Sequence, residues 1–200
     1  MRRNTRITAG CLTALILVLL GVPVSALNVT YLVSENGTSY GATASVNSTD
    51  KYEFFQSGML GERVPLEIHN ISLWREGVNT SYTEERGVIR FESGNYTIRY
   101  DGKISGNTIQ AQFTEPGEIS VVLPEKLKVD NPLLTSIQPG GSVISHDANA
   151  SIVRWEKARY LEIRFYDAGQ ENLLSIFAQF WLIIAVMLLL PFVLSRNREN

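Results

Sequence analysis

NYTIRYDGKISGNTIQAQF, residues 95–113, is the stretch whose reading decides the fold. Tyr96, Ile98 and Tyr100 alternate with Asn95, Thr97 and Arg99, and Ile109, Ala111 and Phe113 alternate with Thr108, Gln110 and Gln112. Apolar residues at every second position fit a strand with one buried and one wet face. The same period returns in Leu161, Ile163 and Phe165 against Glu162, Arg164 and Tyr166. Further strands are predicted at 28–34, 38–46, 51–56, 63–74, 87–92, 117–123 and 150–156. Within 63–74 the phase changes: Val64, Leu66 and Ile68 share one parity, Ile71 and Leu73 the other. A bulge or tight turn at His69–Asn70 reconciles them and exposes Asn70.

Turn signals punctuate these runs: Asn36-Gly37, Ser57-Gly58, Ser93-Gly94, Asp101-Gly102, Pro116-Gly117 and Pro139-Gly140-Gly141. Residues 127–138 fit neither period and read as a long crossover or a join to a terminal hairpin. Many short strands between turns predict a mainly β fold, an antiparallel β-sandwich of immunoglobulin-like architecture. Antibody domains add a disulfide, which this sequence cannot supply, since its one cysteine is Cys11.

The two ends are of another kind. Arg2, Arg3 and Arg6 precede an apolar stretch, and Val24-Ser25-Ala26 matches a small-x-small cleavage pattern, so 1–26 reads as a signal peptide. Cys11 lies too early for a lipoprotein site and reads as a small apolar residue of that segment. Leu173 to Leu194 carries no charge. At helical rise it spans about 33 Å, enough for a bilayer's hydrocarbon core. Asp167 and Glu171 precede it, while Arg196 and Arg198 follow. Positive residues stay on the cytoplasmic side. The predicted layout is an extracellular domain at 27–170, with 126–168 as a candidate terminal subdomain, a transmembrane helix at 173–194 and a cytoplasmic tail at 195–200. Gln179 inside the span is polar and would favour a helix partner.

Between the ends stand 13 Lys/Arg and 18 Asp/Glu, a formal charge of −5. That balance excludes a basic nucleic-acid surface. Seven asparagines begin Asn-x-Ser/Thr: Asn28, Asn36, Asn47, Asn70, Asn79, Asn95 and Asn149. All fall in the region placed outside. With 30 Ser/Thr in 200 residues, chance would give the nine asparagines between the ends one or two such triplets. The excess predicts heavy N-glycosylation.

Chemistry is hard to assemble from the remaining residues. His69 and His146 are the only histidines, and each reads as surface or loop. His146 and Asp147 are adjacent, so on a strand they face opposite ways. No spacing matches a zinc site, a calcium loop or a phosphate-binding glycine loop. Glu84-Glu85 reads as a solvated turn. No metal or cofactor is predicted, and no enzyme. A hydrolase would need a cleft that brings His69 or His146 beside a carboxylate or a serine. Tyr31, Tyr40, Tyr52, Tyr82, Tyr96, Tyr100, Tyr160, Tyr166, Trp74 and Trp155 read as core aromatics.

Residues 120–195 resemble a family of uncharacterised archaeal membrane-anchored envelope proteins. The residues that carry the likeness are Pro132, Leu133, Leu134, Pro139, Gly140, Gly141, Val153, Trp155, Phe165 and Tyr166, followed by the apolar segment. The resemblance implies an export signal, a β-rich ectodomain and one terminal span, and it implies no known activity. The sequence thus predicts a non-enzymatic envelope glycoprotein that binds or supports other envelope components, such as a protein surface layer. An accessory subunit of a membrane transport or secretion complex is the alternative, and a surface hydrolase a further one.

Overall fold

The computed structural model describes residues 27–58, 60–147 and 149–196, with side chains as far as residue 190. The predicted signal peptide, Cys11 and Arg198 lie outside the described residues. In chain order the strands are β1 (Leu27–Val33), β2 (Ser39–Glu53), β3 (Phe55–Ser57), β4 (Arg63–Pro65), β5 (Ile68–Arg75), β6 (Val78–Thr80) and β7 (Thr83–Glu85). There follow β8 (Val88–Lys103), β9 (Thr108–Pro124), β10 (Leu127–Lys128), β11 (Ser136–Gln138), β12 (Val143–Asp147), β13 (Ala150–Arg164) and β14 (Tyr166–Asp167). The helix α1 spans Ala168–Arg196.

The β reading holds, but the strands are longer than the pattern predicts. β2, β8, β9 and β13 have 15, 16, 17 and 15 residues. Each joins two predicted strands across the gap between them, and in two the gap holds a predicted turn. Ser93-Gly94 lies inside β8, and Pro116-Gly117 inside β9. The predicted two-sheet antiparallel sandwich is not what forms. Twelve strands hydrogen-bond into one sheet, in the order β11-β13-β9-β1-β2-β8-β5-β6 with β3, β4, β7 and β12 attached. It is mixed, because β1 runs parallel to β9. The sheet curls into a half-barrel.

Ring contacts show the curl. Tyr52 pairs with Ile89 of β8. On an extended strand Tyr100, eleven residues further along β8, would lie about 36 Å from Ile89. Yet the Tyr52 ring centroid is 6.4 Å from that of Tyr100, and Phe54 is 4.9 Å from Tyr100. The ladders slip where the strands bend, between Val46 and Lys51 of β2 and between Trp155 and Tyr160 of β13. In β9 the bend is at Pro116-Gly117. Gly117 faces Leu27 of β1 so closely that a Cβ there would strike the Leu27 carbonyl oxygen. Bulges and glycines are how strands turn corners.

The curl encloses a core in which Tyr31, Phe54, Leu73, Ile98, Ile119, Leu161 and Ile163 are among the most buried residues. Of the aromatics predicted for it, Tyr31, Tyr40, Tyr52, Tyr96, Tyr100, Tyr166 and Trp155 are buried. Tyr82 and Trp74 are half-buried, while Tyr160 is exposed. The phase change at His69–Asn70 is a bulge, with Asn70 at φ 55° and exposed. Residues 127–138 contain the short β10 and β11, with a turn between them.

α1 is long and apolar enough to cross a bilayer, and its span from Ala168 to Leu190 is not buried against the domain. A reciprocal cap sets its start. The Gln170 backbone N–H donates to Asp167 Oδ1 at 2.9 Å, and the Asp167 N–H donates to Gln170 Oε1 at 3.2 Å. Lys128 Nζ holds Glu171 Oε2 at 2.9 Å, which ties the first turn to β10.

Candidate functional site

The seven acceptor asparagines are all exposed. Four of them share one patch, and the ladder registers show how. Asn28 pairs with Ser45, Ser45 with Thr97, Thr97 with Trp74, and Trp74 with Asn79. These five residues form a row across β1, β2, β8, β5 and β6, on the outer side of the curl. Four strand steps separate Asn28 from Asn79 by about 19 Å. Asn47 and Asn95 lie one pleat period further along β2 and β8, on the same side. They line an open groove of about 480 Å³ with Trp74, Arg75 and Tyr96. Asn95 Oδ1 accepts from the Ser48 N–H at 2.9 Å, so it is the carbonyl that is engaged.

The other three are dispersed. Asn36 lies in the turn between β1 and β2, where its Oδ1 accepts from Ser34 Oγ and Thr38 Oγ1, each at 2.8 Å. Asn149 lies in the turn between β12 and β13. Asn70 differs in kind: its Nδ2, the atom that would carry a sugar, donates to Asp101 Oδ2 at 2.8 Å.

A larger groove of about 700 Å³ lies elsewhere and contains no acceptor asparagine. Gln56, Lys103, Gln110, Ser136, Glu162 and Arg164 are among the polar residues that line it. The arrangement offers both charges and two amides to a polar ligand. Sequence reading did not single out this set, because its members come from five separate strands. No local spacing signals such a convergence.

A second unanticipated cluster surrounds Glu53, whose side chain is 12% exposed. Lys51 Nζ and Arg63 Nη2 each lie 2.8 Å from its oxygens, and Thr114 Oγ1 donates at 3.2 Å. The bond from Lys51, joined by those from Arg63 and Thr114, outweighs burial and holds the carboxyl down at about 2. In the core, burial raises the Tyr31 and Tyr100 hydroxyls well above their usual range and Tyr40 to about 12. These phenols stay neutral at any physiological pH.

Both histidines are exposed, as the sequence predicts. One of them nevertheless has company that the sequence did not reveal. His146 Nδ1 lies 3.0 Å from Ser151 Oγ, its cross-strand neighbour, and Nε2 lies 3.5 Å from Asp130 Oδ1. The groups are those of a hydrolytic triad with the ring nitrogens exchanged, since in such a triad Nε2 faces the serine and Nδ1 the carboxylate. The His146 and Asp130 side chains are more than half exposed, so water competes for every contact. Among the described residues no three His, Cys, Asp or Glu side chains converge as metal ligands.

With the geometry in view, comparison with known proteins supplies a family. One family model matches residues 25–195. The chain belongs to DUF5803, a family of unknown function. The match covers the whole curled sheet of this DUF5803 chain. Among curated proteins none matches it. Family membership therefore adds no chemistry to the site, and the functional argument rests on the residues.

Proposed function

We propose that this DUF5803 chain is a single-pass, membrane-anchored glycoprotein of the cell envelope with a structural or binding role. α1 anchors the domain, the curled sheet stands on the outer side of the membrane, and sugars coat part of its surface. The observation that carries the reading is the placement of the acceptors. All seven are exposed, and four of them, Asn28, Asn47, Asn79 and Asn95, gather on one outer patch. The groove of Gln56, Gln110 and Arg164 stays clear of acceptors and lies at the end of the sheet from which α1 departs, so it is the surface left for a partner close to the membrane. The role is non-enzymatic, and the partner is another envelope protein.

Intact-mass and peptide mass spectrometry of protein from native membranes, after gentle crosslinking, tests this. Glycans on several of the seven asparagines and crosslinks from the groove face to an envelope protein are the expected result. An unmodified domain crosslinked only through α1, around Gln179, would overturn it in favour of an accessory subunit of a membrane complex.

The juxtaposition of Ser151, His146 and Asp130 supports a second reading, a surface hydrolase that uses the two ring nitrogens in the opposite sense to the usual triad. It requires Ser151 to be nucleophilic. A fluorophosphonate probe that labels wild type but not Ser151→Ala would support it, and equal labelling of both would remove it.

A further inference from the structure

Outside α1, the most exposed large hydrophobic residues among those described are Leu60, at 95%, and Leu133, at 80%. Single apolar residues on a surface are ordinary. The common location of these two is what calls for a cause, because both stand at the end of the sheet from which α1 departs.

The registers fix that location. β13 leads into α1, and its last residue, Arg164, pairs with Thr108 of β9 and with Ser136 of β11. β11 is antiparallel to β13, so the chain read backwards from Ser136 to Leu133 passes Arg164 and continues toward α1. The Asn131 N–H donates to the Tyr166 hydroxyl at 3.1 Å, which confirms the position. On the other flank β3 is antiparallel to β9, with Phe55 opposite Gln112. From Phe55 the chain runs toward the Thr108 end, and Leu60 lies beyond, at the tip joining β3 to β4. In the sheet β9 and β13 stand between β3 and β11. The two leucines therefore straddle the strand that becomes the helix, separated by three strand steps or about 14 Å.

Neither tip is free to fold its leucine inward. The Leu133 N–H donates to Asn131 Oδ1, and those of Leu134 and Thr135 donate to Asn131 O, all at 3.0 Å. The Leu60 N–H donates to Glu62 Oε2 at 2.9 Å, and the Gly58 N–H to Glu62 O at 2.7 Å. Hydrogen-bonded turns thus present both side chains outward beside a helix that is itself apolar from Leu173 onward.

We propose that Leu60 and Leu133 seat in the headgroup–acyl boundary of the bilayer on either side of α1. This rests on the reading of α1 as a membrane span. Apolar side chains gain by entering that layer, and the hydrophobic helix brings them to it. One helix alone leaves a domain free to tilt. A contact on either side of the helix resists tilting of the domain along the line that joins the two leucines.

Single cysteines test this in the full chain, with Cys11→Ser as background. Leu60→Cys, Leu133→Cys, Leu182→Cys in mid-helix, and Val78→Cys are labelled with an environment-sensitive fluorophore. Val78 is 67% exposed and opens β6 opposite Arg75, at the other end of β5 from the Ile68↔Gly102 pair, so it serves as the control. The labelled chains are placed in phosphatidylcholine–phosphatidylglycerol vesicles carrying spin-labelled lipids at two depths. The expected result is quenching at 60 and 133 by the shallow label at least twofold above that at 78, with 182 quenched by the deep label. Quenching at 182 while 60, 133 or both match 78 overturns the proposal and leaves the span intact. No quenching at 182 overturns the span reading itself.

Discussion

Gly117→Ala is the substitution that tests the curled sheet most directly. An ordinary Cβ at residue 117 would lie 2.7 Å from Leu27 Cβ and 2.9 Å from the Leu27 carbonyl carbon, and closer still to its oxygen. Carbon atoms in good contact sit about 3.5–4.0 Å apart. β1 and β9 must therefore separate by about 1 Å at this pair. The obstacle is backbone, which no rotamer change can move aside. The strain falls on a ladder that runs from Leu27↔Gly117 to Leu32↔Val122 and joins the two halves of the sheet. Overpacking of this kind costs about 1–3 kcal/mol, and a backbone obstacle belongs at the upper end. A loss of about 3 kcal/mol lowers Tm by about 6–12 °C in a domain of this size. Gly140→Ala is the matched control, since a Cβ there has nothing within 4 Å, and it should stay within about 0.5 kcal/mol of wild type. Thermal and urea unfolding of the full chain in mild detergent, followed by near-ultraviolet circular dichroism, gives both numbers. If Gly117→Ala loses no more than Gly140→Ala, the corner in β9 is not where the reasoning puts it.

Three further outcomes are expected. Glu53 has its carboxyl lowered from the usual 4.5 to about 2, so its bonds to Lys51 and Arg63 stabilise the fold fully above about pH 4.5 and are lost as the pH falls toward 2; an acid titration of unfolding should flatten over that window in Glu53→Gln, and an unchanged profile would remove the role. Trp155 is 2% exposed and its indole N–H donates to Pro139 O at 2.8 Å; Trp155→Phe should cost about 1–3 kcal/mol in urea unfolding, and a loss under half a kilocalorie would mean the bond does not pin the 139–141 turn. Asn70 should be the least occupied acceptor because Asp101 holds its Nδ2; Asp101→Ala should raise its occupancy in peptide mass spectrometry relative to Asn95, and equal occupancy in both proteins would refute the link.

Much of the β structure was legible because burial on one face writes itself into the chain at period two. Tyr96, Ile98, Tyr100, Ile109, Ala111, Phe113, Leu161 and Ile163 are buried, and the polar residues between them are exposed or half-buried. The bulge at Asn70 was legible for the same reason, since a change of parity has no other simple cause. The exposure of Asn95 followed from its place in the alternation, and that of Asn70 from the bulge. The groove of Gln56, Gln110, Glu162 and Arg164, the Glu53 cluster and the Ser151–His146–Asp130 contact were not legible. Each joins residues from segments far apart in the chain, and residue type alone does not record which strand lies beside which.

By itself the sequence determined the secondary structure class, the apolar helix after the last strand and the faces that are wet. Tertiary structure decided what the breaks mean. Ser93-Gly94 is the same pair as Ser57-Gly58, and Pro116-Gly117 shares its glycine with Asn36-Gly37, yet the first of each is a corner within a long strand and the second ends one. A glycine permits either outcome. Which one occurs depends on whether a neighbouring strand continues its hydrogen bonds past the break. β2 continues past Gly94, and β13 continues past Gly117. That choice turns a predicted stack of two sheets into one sheet curled on itself, and it sets four acceptors on one patch and two leucines beside the helix.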